Sequence, residues 1–202
     1  RSQLNNDKGE IIENLDKFIK KYDTSKINEI FGSDYKIKIA PINNDTHQNI
    51  STYIDFSNCE NLLREAYGYS SSDLLTVCQI EINNPSEQAL INNVEYSVYD
   101  ENKKILNLSI CKDEKIIIHY ELNTSKIDMS KAKYYSELVI DIFNINDDFF
   151  NDICYPYFVG DADVILEDRV TDIYQNYSVC EDNCESNLID CIQNTVSCSC
   201  ST

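Results

Sequence analysis

The chain has no tryptophan, and only four glycines and three prolines in 202 residues. With so few glycines there is little material for a Gly-rich loop that wraps a phosphate or a dinucleotide. Without an indole, a glycosidase lacks its usual flat platform for a sugar ring. Positive charge is scarce too: 17 Lys and Arg stand against 35 Asp and Glu, a formal net charge of −18. Such a surface repels nucleic-acid phosphates and anionic lipid headgroups. The nearest thing to a basic patch, Lys17, Lys20 and Lys21, has acidic neighbours on one amphipathic segment. Nucleic acid is therefore not an expected partner. No apolar run approaches the roughly 20 residues that span a bilayer. Membrane attachment is expected only through segments outside this chain. The sequence opens at Arg1 without a signal peptide, the expectation for a mature or excised fragment.

Catalytic motifs are also missing. There is no G-x-S-x-G, no HExxH, no phosphate loop and no C-x-x-C. Nucleophilic catalysis needs a base beside Ser or Cys, and there are two histidines: His47 in a polar loop and His119 within a strand pattern. The reading is a protein that is not an enzyme and holds no cofactor. Calcium is the one metal with any support. Asp141, Asp147, Asp148 and Asp152 cluster with Asn144, Asn146 and Asn151, an oxygen-rich stretch of the kind Ca²⁺ prefers. Asp147, Asp148 and Asp152 are the weak Ca²⁺ candidates, since the central Gly and terminal Glu of an EF-hand loop are missing.

What the chain does have is cysteine: nine residues, six of them after position 150. A zinc site wants thiolates two to four apart or histidines beside them. Cys180-x₃-Cys184 and Cys198-x-Cys200 fit that only loosely. Five Asn-x-Ser/Thr acceptors tip the balance: Asn44, Asn49, Asn107, Asn123 and Asn176. Acceptors together with many cysteines point to an extracellular or cell-surface setting in which thiols pair and asparagines carry N-glycans. The expected disulfide cysteines are Cys59, Cys111, Cys154, Cys180, Cys184, Cys198 and Cys200. Cys78, on a core-facing position, and Cys191 are the candidates for a free or extra thiol. A Cys59–Cys111 bridge would tie a helix to a sheet. Cys198 and Cys200 share one strand face, so each needs a different partner. Full connectivity does not follow from order alone.

Periodicity supplies the architecture. Ile11, Ile12, Leu15, Phe18, Ile19 and Tyr22 form one stripe, which predicts helix over 9–31 packed on its own domain. Tyr35, Ile37 and Ile39 alternate with Lys36, Lys38 and Ala40, a half-buried strand. Residues 51–56 form a short strand, and Ser57-Asn-Cys-Glu60 reads as a capping box opening a helix over 58–67 that buries Leu62, Leu63 and Ala66 and stops at Gly68. Strands are expected at 74–82, 93–100, 104–110, 114–122 and 138–143. A helical turn is expected in NDDFFNDIC, and a strand passing into a short helix over 161–175. The expected fold is α+β: a mainly antiparallel β-sandwich with an N-terminal helix, a short capped helix and a C-terminal disulfide knot. It divides as 1–48, an N-terminal helix plus strand; 49–150, the β-sandwich; and 151–202, the stapled C-terminal region.

The segments ISTYIDFSNCENLLRE, SSDLLTVCQIEI, FFNDICYPYFVGDADVILEDR and CEDNC…CSC resemble a cysteine-containing extracellular module of large, multi-domain protist surface proteins. The match covers roughly residues 50–200, and its most specific part is the series NDICYPY…DR…C-x₃-C…C-x-C. That resemblance implies surface architecture, often ahead of a membrane-spanning region, and no chemistry. Cys78 and Cys191 fall where the module has apolar or aromatic residues. The tail, Thr195-Val-Ser-Cys198-Ser-Cys200, is also similar to the end of the GPCR autoproteolysis-inducing domain. The tryptophans of that domain are absent and no His-Leu-Thr/Ser tripeptide follows Cys200, so self-cleavage is not expected. The functional expectation is a non-catalytic structural or adhesion module of a glycosylated surface or filament protein. Its partners would be other copies or neighbouring extracellular proteins. The alternatives are a ligand-binding receptor ectodomain and a secreted glycoside hydrolase using an Asp/Glu pair.

Overall fold

The computed structural model describes Leu15, residues 19–42 and residues 52–201. The class is α+β, with helices, antiparallel sheets and disulfides near the C-terminus. The described residues gather into two compact units, each built from stretches that are not contiguous in sequence.

One unit takes the described residues up to Asn83, then Asn92–Ile117, with Cys200 and Ser201. In chain order it holds β1 (Asn28–Phe31), β2 (Tyr35–Pro41), β3 (Tyr53–Asp55), helix α1 (Asn58–Tyr67), β4 (Thr76–Ile82), β5 (Asn93–Tyr99) and the start of β6 (Lys115–Glu121). The sheet order is β1-β2-β4-β5, with antiparallel neighbours throughout. The register sets Ile37 opposite Ile80 and Ile39 opposite Cys78, so one face is continuous hydrocarbon. Leu15 and Ile19, four residues apart, are buried on it with Tyr99. Each such side chain contributes about 1.5–3 kcal/mol by leaving water.

Of the helix expected over 9–31, residues 9–14 and 16–18 lie outside the described residues, and its end is not helical. Asn28–Phe31 is strand β1, paired with Lys36–Ile39. The Asp23 side chain takes the N–H of Ser25 at 3.1 Å, and Asn28 Nδ2 donates to the Asp23 carbonyl at 2.8 Å. That turn redirects the chain, and Ile30 then pairs opposite Ile37.

Strand β2 is covered on both faces rather than one. Lys38, 3% exposed, donates to the Thr52 carbonyl at 3.3 Å. Gln79 Nε2 reaches the same oxygen at 3.4 Å and Glu81 at 3.0 Å. On this side Phe56 packs edge-on against Tyr96, with centroids 5.6 Å apart.

Helix α1 has the expected span, and Gly68 ends it at φ 73°, a left-handed conformation that glycine adopts freely. The capping box does not form. Ser57 makes no side-chain cap; its N–H goes to Asp55 Oδ1 at 2.7 Å. Glu60 turns instead to Arg64, 2.9 Å away. Arg64 also donates to the Ser70 and Asp73 carbonyls at 2.6 and 2.9 Å. It is therefore buried, while Leu62 is half-buried and Ala66 exposed, against expectation. The strand expected over 104–110 shrinks to a single bridge from Ile105 to Tyr99. Asn107 Oδ1 then accepts from Ser109 N at 3.0 Å and tips the chain into a 3₁₀ turn, Leu108–Cys111.

The other unit takes Asn84–Ile91 and Ile118–Ser199. It contains α2 (Met129–Glu137), α3 (Asp148–Asn151), the hairpin β7 (Phe158–Val159) and β8 (Ala162–Asp163), α4 (Leu166–Asp168) running into a π turn Arg169–Ile173, then β9 (Cys184–Asp190) and β10 (Thr195–Ser201) as far as Ser199. Strand β10 has β6 on one side and β9 on the other. Ile118, Tyr120 and Leu122 are buried, as the two-residue period requires. The strand expected over 138–143 is absent. Asp147 Oδ2 takes the N–H of Asp141, and Asp141 Oδ1 takes that of Phe143, each at 3.0 Å, so side chains occupy donors a ladder would need. Ile140, Ile142 and Phe143 are still buried. Asp147 Oδ1 caps α3 through Phe149 N at 2.9 Å.

This unit's aromatic cluster surrounds Arg169, which is 1% exposed. Phe149 lies within 5.0–6.0 Å of the rings of Phe150, Tyr155, Tyr157 and Tyr135. Arg169 donates to the carbonyls of Phe149 (2.8 Å) and Asp152 (3.1 Å).

Candidate functional site

The cysteines separate into six that are paired and three that are free. Cys59 bonds to Cys111 across 52 residues, joining the first turn of α1 to the end of the 3₁₀ turn. Cys180 bonds to Cys198 across 18 residues. Cys184 and Cys200 form the third bridge. Cys198 and Cys200, two apart on β10, thus take different partners, as their shared face requires. Cys78 is free and buried, and burial pushes its thiol up to about 12. Cys191 is free and half-buried. Cys154 corrects the expectation: it is free and exposed. The other six thiols satisfy one another, and Cys154 sits on a surface turn where its own N–H goes to Asp152 Oδ1 at 2.8 Å.

Three acceptor asparagines are described, and all are exposed: Asn107, Asn123 and Asn176. Asn44 and Asn49 lie outside the described residues, as does His47. Asn107 and Asn123 each stand at the N-terminal end of a 3₁₀ turn, and in each Oδ1 accepts from the N–H two residues on.

A cavity of ≈ 340 Å³ opens in the second unit, walled by Ala132, Ser136, the 139–143 turn, Asp147, Ser186–Ile189 and Cys191. Burial pushes the Asp141 carboxyl above its ordinary range, and the Asp147 charge adds to that. Burial likewise raises the Cys191 thiol, so it is a poor nucleophile at neutral pH. Both Asp147 oxygens accept backbone N–H groups, from Asp141 and from Phe149. These carboxylates are therefore engaged in holding turns. Two of the three Ca²⁺ candidates serve the backbone in this way, since Asp147 caps α3 and Asp152 holds Cys154 N, while Asp148 lies in the first turn of α3. Among the described residues no three His, Cys, Asp or Glu side chains gather as a metal-ligand group.

His119 Nδ1 and Ser197 Oγ lie 2.8 Å apart, joining the neighbouring strands β6 and β10. Neither residue lines the cavity. Arg169 was missed as a key position by periodicity, although it is the arginine of the DR pair in the most specific resemblance segment. Among the described residues no helix is long and apolar enough to cross a membrane. No protein-family model, no curated protein and no solved structure matches the chain significantly.

Proposed function

We propose that this chain is a non-catalytic extracellular module, structural or adhesive in role, within a glycosylated surface or filament protein. The observation that carries this reading is the disulfide set, three bridges that consume six of nine cysteines. Such bonds persist where the surroundings are oxidising. Two of them clamp the last 23 residues, and the third fixes α1. The charge of −18 favours solubility and rejects anionic partners. Contacts with other copies or neighbouring proteins are supported by the 153–165 stretch, where Ile153, Phe158, Val159 and Ile165 are 78, 61, 63 and 56% exposed. The likeness to protist surface modules agrees with this reading. The test is native mass spectrometry and imaging of source material. Disulfide-bonded protein held in a larger assembly is expected; a free, strictly monomeric single-domain protein with reduced thiols would overturn the proposal.

A second reading, a ligand-binding receptor ectodomain, draws on the cavity beside α2. Its mixed lining, with Asp141 among apolar side chains, suits a small ligand bearing a hydrogen-bonding or cationic group. A screen of small amines by thermal shift checks it: stabilisation lost in Asp141→Asn would favour this role, and no stabilisation would remove it.

A further inference from the structure

We propose that Asn107 and Asn123 carry N-linked glycans while Asn176, with the same acceptor pattern, stays bare. The inference rests on the extracellular reading above and sharpens it to individual sites. All three side chains are exposed, so exposure does not separate them. The serine two residues on does.

At Asn107, Oδ1 accepts from Ser109 N at 3.0 Å; at Asn123 it accepts from Ser125 N at 3.2 Å and from Ser125 Oγ at 2.6 Å. These turns close within three residues, and each asparagine's own N–H is held elsewhere, Asn107 N by Tyr67 Oη at 3.0 Å and Asn123 N by the Leu90 carbonyl at 2.7 Å. The turns use only Oδ1. No hydrogen bond among the described residues engages either Nδ2. A sugar added to Nδ2 leaves the amide oxygen in place, so each turn survives modification. At Asn176 the serine is already committed. Ser178 N donates to the Gln88 carbonyl at 2.8 Å and Ser178 Oγ to the Cys180 carbonyl at 2.7 Å. Ser178 also bridges in parallel to Ala89. Gln88 and Ala89 precede it in the chain and are available as soon as residue 178 emerges, and domains fold from the N-terminal side during synthesis. Folding therefore turns the N–H and hydroxyl of Ser178 to partners other than Asn176, so this acceptor does not close the turn onto its own serine that Asn107 and Asn123 form.

The step itself is a glycosyl transfer from a lipid-pyrophosphate-linked oligosaccharide. The bond between Nδ2 and the sugar's anomeric carbon forms, and the anomeric carbon–phosphate oxygen bond breaks. The lipid pyrophosphate leaves with the electron pair, and Nδ2 gives up one proton to a base of the transferase.

The experiment expresses the full chain behind a secretion leader in eukaryotic cells. Free thiols are alkylated under non-reducing denaturation, and glycans are released by an amidase in heavy-oxygen water, which tags each formerly occupied asparagine as a heavy aspartate. Three alkylated cysteines, tags at Asn107 and Asn123 and an untagged Asn176 are expected. An untagged Asn107 or Asn123, or a tagged Asn176, in disulfide-bonded protein would overturn this inference and leave the proposed function standing. Nine alkylated cysteines with untagged asparagines would overturn both.

Discussion

Arg169 Nη1 donates to the carbonyl oxygen of Phe149 at 2.8 Å while its guanidinium lies 5.4 Å from the centroid of the same residue's ring. A second donor reaches the Asp152 carbonyl at 3.1 Å, and the Tyr155 ring lies 6.0 Å away. This charge is thus buried against carbonyls and π faces. Arg169→Ala leaves two carbonyls without their donor and opens a cavity among aromatic rings, a loss of about 3 kcal/mol. Arg169→Lys recovers only part of it, since an ammonium cannot fork between two oxygens and stack at once. Chemical denaturation of both variants checks the order wild type, Lys, Ala.

The bridges differ in the length of chain they close. In the chain-entropy model, Cys59–Cys111, across 52 residues, is worth about 4 kcal/mol and Cys180–Cys198, across 18, about 3 kcal/mol. The second loss is cushioned further, because Cys184–Cys200 still closes an overlapping stretch. The pair Cys59→Ser with Cys111→Ser is therefore the more destabilised of the two double variants, by at least about 1 kcal/mol. Equal denaturation midpoints would contradict this.

These elements also mark how far the sequence could be read. The alternation in TVCQIEI and YKIKIAP located β4 and β2, because a period of two survives any packing partner. Gly68 located the end of α1, because its left-handed φ is a local demand. Residues 138–143 have the composition of a strand, yet Asp141 and Asp147 intercept their N–H groups, an outcome set by side chains up to six positions away. Cys154 could not be singled out by counting, since a thiol's fate depends on which others come within reach in space. Arg169 gave no periodic signal at all, because its partners are backbone carbonyls that no residue type encodes.

The three free thiols are distinguishable by rate. Cys154 is exposed, Cys191 half-buried and Cys78 fully buried. A maleimide or aromatic disulfide reagent at pH 7.5 is expected to label Cys154 first and Cys191 more slowly. Cys78, pushed up to about 12 by burial, is expected to react only on unfolding. Peptide mapping over a labelling time course gives the order; early labelling of Cys78 would contradict the buried placement on β4.

Lys38 predicts a rise in stability with pH. Burial lowers its ammonium from 10.5 to about 8, with Lys36 adding to that and Glu81 opposing it. A lysine lowered in the fold binds fewer protons there than in the unfolded chain, so unfolding becomes harder as pH rises. The cost of burying the charge is present in full below pH 8 and is gone above 10.5. Between pH 8 and 9 the gain is about 1 kcal/mol. Above 9 the raised Cys78 thiol pulls the other way, so pH 8–9 is the window to measure. Lys38→Met is expected to flatten the rise and to be at least as stable at pH 7, because Thr52 keeps Gln79 as a donor. Parallel slopes for the two proteins would refute the assignment.

Val139 sits at φ 61° and is 90% exposed. A β-branched side chain in the left-handed region is crowded by its own backbone, and no burial compensates here. The conformation is imposed from outside: α2 is capped by Leu138, whose N–H goes to the Tyr135 carbonyl, and the N–H groups of Val139 and Ile140 fold back onto Ser136 and Tyr135 at 3.0 Å each. Those bonds swing Ile140 and Ile142 inward, where they are 4 and 1% exposed. The strain is therefore held by the burial that follows it. Asn tolerates this region far better than Val, and its side chain would stay in water. Val139→Asn is expected to stabilise the fold by about 1 kcal/mol. Val139→Gly should gain less, since part of the relief is returned as extra freedom in the unfolded chain. Because Val139 also lines the cavity beside Asp141, both variants should be compared for small-amine binding as well as for denaturation midpoint. A destabilised Val139→Asn would mean that the valine methyls make contacts outweighing the backbone strain.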